Sequence, residues 1–341
     1  MQQPTTALLR SFGQQGEPQS QQSPWSGDAS EDYARLIAHP GGSLRRWWLH
    51  TILRLTAKRM HVVGADIATL RGQQETFDKK FGRLDPEAKQ TAVDCDGVAA
   101  EWIEVTGSRP YRVLLYLHGG AFMFRFPRTH AGMAARWCRR LGARALMVDY
   151  RLAPEHRFPA APDDCHGAYR WLLAQGIDPR HIALAGDSAG GNLALVTLHR
   201  IKAAGEPMPA CAVLLSPAVD FTLSSKSLVT NEKRDPMFTL AGLIALRGLY
   251  ASPRHYLDPS VSPLYADYAG FPPLLFQAGD LEVLRDESMR AADRAHAAGV
   301  DVELEIWKDM GHVFQALPLP QATAATEHIV NFITKHTGWS S

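Results

Sequence analysis

The sequence has no apolar run long enough to cross a bilayer; nothing approaches the ~20 consecutive apolar residues that a spanning helix needs. Net charge is almost absent as well. Thirty-six Lys+Arg stand against 35 Asp+Glu, leaving +1 with histidine neutral. That balance argues against a chain whose main task is gripping the phosphate backbone of nucleic acid. Cysteine is scarce: Cys95, Cys138, Cys165 and Cys211 show no CxxC or zinc-ligand spacing. Neither a disulfide framework nor a metal site is expected, and four reduced thiols suit a cytoplasmic protein. The opening stretch MQQPTTALLRSFGQQGEPQSQQ lacks an apolar block, so no secretory leader is expected. What is present is ordinary globular material. The 341 residues are 45% hydrophobic and 21% charged, enough for two domains or one large one.

Residues 1–28 are rich in Gln, Ser, Pro and Gly, show no apolar periodicity, and are expected to be a disordered tail. Residues 29–90 read as helical. In SLRRWWLHTILRLTAKRM, Leu44, Trp47, Trp48, Ile52 and Leu55 recur at three- and four-residue steps, with Arg45, Arg46, Arg54 and Lys58 on the opposite face. Such a basic amphipathic helix resembles one that lies on a membrane; docking on its own protein is the expected arrangement. From Val98 the texture alternates. The apolar runs YRVLLYL, RALMVDY, HIALAG, CAVLLS, PLLFQAG and DVELEIW are separated by helical patterns, most of them ending at Gly. Alternating strand and helix predicts a mostly parallel sheet covered on both faces. Residues 219–268 interrupt the rhythm with helical and loop texture and read as an insertion.

HIALAG runs into Gly186-Asp187-Ser188-Ala189-Gly190 and then into a helical pattern. G-x-S-x-G between strand and helix is the context of a nucleophile elbow. YRVLLYL ends in His118-Gly119-Gly120-Ala121, which resembles the HGGG-type loop of lipases and esterases. The N–H groups of Gly119, Gly120 and Ala189 are the candidate oxyanion donors, and His118 reads as structural. Acyl transfer by serine needs a histidine base. His312 follows the run DVELEIW in a short loop, where such a base belongs, whereas His199, His296 and His328 sit inside helical patterns. The acid is less clear. Asp220 is remote, and Asp286 and Glu287 read as first-turn helix charges. The residues alone leave Asp280 and Glu282 open.

Taken together, HGGAF (118–122), DYRLAPEHRFPAAPDD (149–164), GDSAGG (186–191), SPLYADYAGFPPLL (262–275), EVLRDE (282–287) and DMGHVF (309–314) resemble the hormone-sensitive-lipase-like family of α/β-hydrolases, in its bacterial carboxylesterase branch. The resemblance runs from about residue 85 to 335. It implies an α/β-hydrolase fold: a mostly parallel eight-stranded sheet flanked by helices, over residues 91–341. It also implies a helical cap built from 29–90 and from an insertion at about 219–268. The family's D-P-L-x-D-E pattern, aligned on Leu284–Glu287, places the acid at Glu282, a departure from the commoner Asp; Asp280 is the alternative. The implied activity is hydrolysis of short- to medium-chain esters by Ser188, Glu282 and His312, without cofactor or metal. Phe122, Met123, Phe124, Trp47 and Trp48 are candidate pocket-lining residues. The same triad also serves amidases, deacetylases and lactonases. Non-catalytic ligand-binding relatives lose the histidine that is present here. The implied partner is a small ester; nucleic acid and membrane are not expected, and a homodimer is compatible with the pattern.

Overall fold

The six apolar runs become the core of one nine-stranded sheet. They are β4 (Val113–Leu117), β5 (Arg144–Val148), β6 (Ile182–Asp187), β7 (Cys211–Leu215), β8 (Leu274–Gly279) and β9 (Val302–Trp307). The computed structural model describes residues 32–59 and 66–339, so the expected tail at 1–28 lies outside the described residues. Every residue of β4, β6, β7 and β8 is buried. Continuous apolar strands of this kind need helices on both faces.

Three further strands, β1 (Ala34–Ile37), β2 (Lys89–Asp94) and β3 (Ala99–Glu104), complete the sheet in the order β1-β9-β8-β7-β6-β4-β5-β3-β2. β2 pairs antiparallel with β3, and β3 antiparallel with β5; the other neighbours are parallel. The sheet thus has nine strands where eight were expected. β1 falls inside 29–90, read above as helical, and pairs with β9, Ala34 opposite Leu304. Its four residues are too few to show a period, and its register is fixed from outside: Arg35 reaches Glu303 at 2.9 Å. The expected boundary at residue 90 falls inside β2.

The helices are α1 (Ser43–Leu55), α2 (Ile67–Phe81), α3 (Pro127–Leu141), α4 (Ala160–Ala174), α5 (Ala189–Ala204), α6 (Ser227–Thr230), α7 (Leu240–Tyr250), α8 (Arg285–Ala297) and α9 (Pro320–Thr337). No strand interrupts the chain between β7 and β8, as the texture of 219–268 suggested. α1 packs differently from expectation. It buries His50 and Leu53, with Leu49 against the cluster of Trp307, Met310 and Phe314. The opposite face, with Trp47 and Trp48, is more than half exposed. Its C-terminal end is tied to the insertion: Arg54 donates to Arg234 O (2.9 Å), and Lys58 to Glu232 O and Asp235 O. α2 is tied to the core by Arg71, which bonds Met123 O and Ala153 O and grips Glu155 with two nitrogens. Asp78 of α2 accepts from Arg128 N and Thr129 N. It thereby caps α3, which has no side-chain cap of its own. Among the described residues no helix is long and apolar enough to cross a membrane.

Parallel strands point their carboxyl ends at one edge. The residues that follow β4, β6, β7, β8 and β9 therefore converge there, namely 118–121, Ser188, Ser216, 280–282 and 309–312.

Candidate active site

Ser188 sits between β6 and α5 with φ 54° and ψ −118°. A non-glycine residue held there stores roughly 1–3 kcal/mol. The surroundings enforce it: Ser188 N donates to Leu215 O (2.8 Å), and Ser188 O accepts from Asn192 N and Ala218 N. The turn also depends on close approach. A Cβ on Gly190 would lie 1.9 Å from Leu117 O, so only glycine lets α5 start against the end of β4. The hydroxyl is thus fixed at the N-terminus of α5, whose free N–H groups favour negative charge.

His312 is buried, and its Nδ1 lies 2.7 Å from Glu282 Oε2. The other carboxylate oxygen of Glu282 accepts from Gly279 N (2.6 Å) and Ser216 Oγ (2.9 Å). All three contacts fix the carboxylate, which is fully buried. The second ring nitrogen of His312, Nε2, has no partner among the described residues, and Phe238 packs edge-on against the ring at 4.8 Å. Asp280 is placed elsewhere. Its Oδ2 meets Arg234 at 3.3 Å, and burial, the dominant influence, raises its carboxyl above the ordinary range.

The glycine loop departs from expectation at one position. Gly119 N donates to Asp187 Oδ1 at 2.9 Å, so this N–H is already committed. Among the described residues, the N–H groups of Gly120 and Ala121 have no protein acceptor. Both residues have positive φ, 128° and 54°, which turns their amides away from the strand direction. The available donors are therefore Gly120, Ala121 and, at the start of α5, Ala189. Asp187, unremarked in the sequence beyond its place in the motif, also accepts from Tyr116 Oη (2.8 Å) and pairs with His130. Burial alone would raise its carboxyl; His130 and the hydrogen bonds from His130, Tyr116 and Gly119 outweigh that and hold it below the ordinary range. His118 stacks on Tyr150 at 4.2 Å. Burial, with His130 nearby, depresses it to about 3, so its ring stays neutral. Segment 149–164 braces this loop: Ala153 N bonds Phe122 O, and Tyr150 Oη bonds His118 O.

Two cavities meet at Ser188. The smaller, of about 60 Å³, is lined by Ala121, Phe122, Ala189, Phe221, Leu246 and Glu287 among others. The larger, of about 1310 Å³, includes His312, Gly120, Phe124, Phe238, Leu49 and Ile52 in its walls. Phe122 and Phe124 thus line cavities. Met123 does not: it is fully buried in the interior. Trp47 and Trp48 also line neither cavity, because α1 turns its other face inward. Glu287, read from sequence as a helix-dipole charge, is buried and accepts from Val219 N (2.6 Å) and Asp220 N (2.9 Å). Among the described residues no group of three or more His, Cys, Asp or Glu is placed to hold a metal ion.

Residues 114–316 match the family described as the alpha/beta hydrolase fold. An acetyl-hydrolase of Streptomyces hygroscopicus is 35% identical over 297 residues, covering 85% of this chain and 97% of the relative. An esterase of Acinetobacter venetianus is 38% identical over 247 residues, 70% of this chain and 79% of that one. The crystal structure of an esterase from the bacterial hormone-sensitive lipase family superposes with a TM-score of 0.82 at 39% identity, covering 87% of this chain and all of that one. The fold, the motifs in order and these likenesses agree: the chain belongs to the hormone-sensitive-lipase-like family of α/β-hydrolases and is a carboxylic ester hydrolase.

Proposed function

We propose that the chain is a serine carboxylesterase acting on esters of short acyl groups through an acyl-enzyme. Ser188 is the nucleophile, His312 the base and Glu282 the orienting acid. The observation that carries this reading is the state of His312. Its Nδ1 is held by Glu282, while its Nε2 has no partner among the described residues, and the side chain borders the cavity that Ser188 lines. Ser188 Oγ attacks the ester carbonyl as His312 Nε2 takes its proton. The developing oxyanion is received by the N–H groups of Gly120, Ala121 and Ala189. Collapse expels the alcohol, which takes the proton from His312. Water, deprotonated by His312, then attacks the acyl carbon, and the acid leaves as His312 returns the proton to Ser188 Oγ.

This sequence of steps assigns the two cavities. The leaving oxygen must face His312, and His312 borders only the larger cavity of the two, so the alcohol portion lies there. The acyl chain diverges from it into the smaller one. The small volume of that cavity, about 60 Å³, suits a short acyl chain. α1, tied to the 219–268 insertion by Arg54 and Lys58, and α2, tied to the core by Arg71, act with that insertion as the cap over the alcohol side. Replacing Ser188 by Ala is the test. Hydrolysis of p-nitrophenyl butanoate is expected to fall by at least about 10⁴-fold; retained turnover sinks the scheme.

A further inference from the structure

A buried carboxyl group that the mechanism does not use lines the small cavity. Glu287 is almost fully buried, yet one of its oxygens is open. Oε2 accepts two backbone N–H groups, from Val219 and Asp220. Oε1 has no hydrogen bond among the described residues, and the side chain forms part of the cavity wall otherwise made by Phe122, Phe221, Leu246 and their neighbours. Because Oε2 is occupied as an acceptor, a proton on this group resides on Oε1 and is offered to the cavity.

The charges around Glu287 do not neutralise it. Asp220 is in direct contact through its backbone N–H, and its own carboxylate takes Thr222, Ser224 and Arg290. Arg290, further along α8, is thus engaged at Asp220. Arg247 of α7 lines the same cavity, but its Nη1 donates to Phe221 O at 2.7 Å and its guanidinium lies over the Tyr256 ring. Burial, reinforced by the Asp220 charge, pushes the Glu287 carboxyl from 4.5 up to about 8.

We propose that Glu287 is a specificity-determining residue whose Oε1–H donates a hydrogen bond to an oxygen carried by the acyl chain. The favoured substrates are then esters of short alkoxy, hydroxy or keto acids over plain alkanoic esters of the same size. This assignment rests on the serine esterase reading and on the acyl chain occupying the small cavity. In a cavity walled mainly by apolar side chains, with Asp220 and Arg247 at its margin, a donor on Glu287 binds an acyl group with an acceptor better than one without, since the plain chain leaves that buried donor unpaired.

Two isosteric pairs of p-nitrophenyl esters test it: methoxyacetate against butanoate, and 3-methoxypropanoate against pentanoate. Each replaces one methylene by oxygen. The quantity to read is the ratio of kcat/KM within a pair, compared between proteins so that intrinsic reactivity cancels. In Glu287→Met the ratio for at least one pair is expected to fall about tenfold. Glu287→Gln, whose amide still accepts from Val219 and Asp220 and still donates into the cavity, is expected to keep it. The wild-type enzyme supplies a reading that does not depend on the fold of a variant. The donor is present below about pH 8 and lost above it, so the ratio falls as pH rises from 6 to 9.5, and stays level in Glu287→Gln. A ratio that is equal in all three proteins, and flat with pH in the wild type, overturns the Glu287 assignment. If Ser188→Ala abolishes turnover in the same assay, the esterase reading stands regardless; if it does not, both fall.

Discussion

Glu282→Gln, set against Asp280→Asn, separates the two carboxylates at the end of β8 by a mechanism the geometry dictates. Glutamine has nearly the shape of glutamate, so packing is preserved. Its amide, however, has only one way to sit. Gly279 N–H, at 2.6 Å from Oε1, is a donor and needs the carbonyl oxygen. The NH₂ group must then face His312 Nδ1, 2.7 Å away. Nδ1 becomes an acceptor and the imidazole proton moves to Nε2, where it blocks acceptance of the Ser188 proton. The expected cost is roughly 10⁴-fold in kcat, about 5 kcal/mol of barrier, with KM within about threefold. Asp280 meets Arg234 at 3.3 Å and not His312, so Asp280→Asn is expected to change kcat by less than about threefold. The assay is p-nitrophenyl butanoate hydrolysis with burst-phase kinetics, alongside thermal melts showing both variants folded. If Glu282→Gln kept more than about a tenth of wild-type kcat, or Asp280→Asn were the more damaging, the tautomer argument would be refuted.

Two further outcomes follow from backbone geometry. Gly120→Ala places a Cβ 2.1 Å from Phe124 O at φ 128°, which must displace the glycine loop after β4; kcat is expected to fall about 10²–10³-fold with a smaller change in KM, and an unchanged kcat would remove Gly120 from the proposed donor set. Ser188→Gly relieves the strain at φ 54° and is expected to raise the melting temperature by about 2–3 °C while abolishing turnover; a lower melting temperature would show that the turn is not strained.

The motif residues were legible because each is tied to a strand end by local rules. A strand, a small-residue turn and a helix fix Ser188 from the sequence alone, and a loop after the last long apolar run fixes His312. What sequence could not reveal are contacts between strand ends. Gly119 looked like a donor to substrate because nothing in HGGAF announces that Asp187, 68 positions away, would take its N–H. Nothing in the motif announces that Ala121, which carries a Cβ, adopts φ 54°. Glu287 sits in the first turn of α8, the ordinary place for a solvated acid; only the packing of that turn against residues 219–220 reveals it as buried. The amphipathic pattern of α1 misled in the opposite sense. Its tryptophan stripe is the more apolar face, but His50 and Leu53 fit beneath while the two indoles stay outside. β1 escaped because its four residues carry no period and gain their conformation from β9.

Asp187, Asp235, Glu282 and Glu287 are buried carboxyl groups near the carboxyl edge of the sheet, and their neighbours, not their residue type, decide what each does. Asp187 is surrounded by donors from Tyr116, Gly119 and His130 and stays charged, which makes it an anchor for the glycine loop. Asp235 accepts from Met237, Phe238 and Val283 N–H groups, joining the insertion to the loop after β8. Glu282 divides its two oxygens, one locked by Gly279 and Ser216 and one left for His312. Glu287 has two backbone donors but a carboxylate neighbour and no cation of its own, so it keeps its proton at neutral pH. Exchanging the environments of Glu282 and Glu287 would defeat the proposed chemistry. A proton-bearing acid beside His312 would offer Nδ1 a donor where it needs an acceptor. A charged one in place of Glu287 would have no proton to offer an oxygen of the acyl chain in the small cavity.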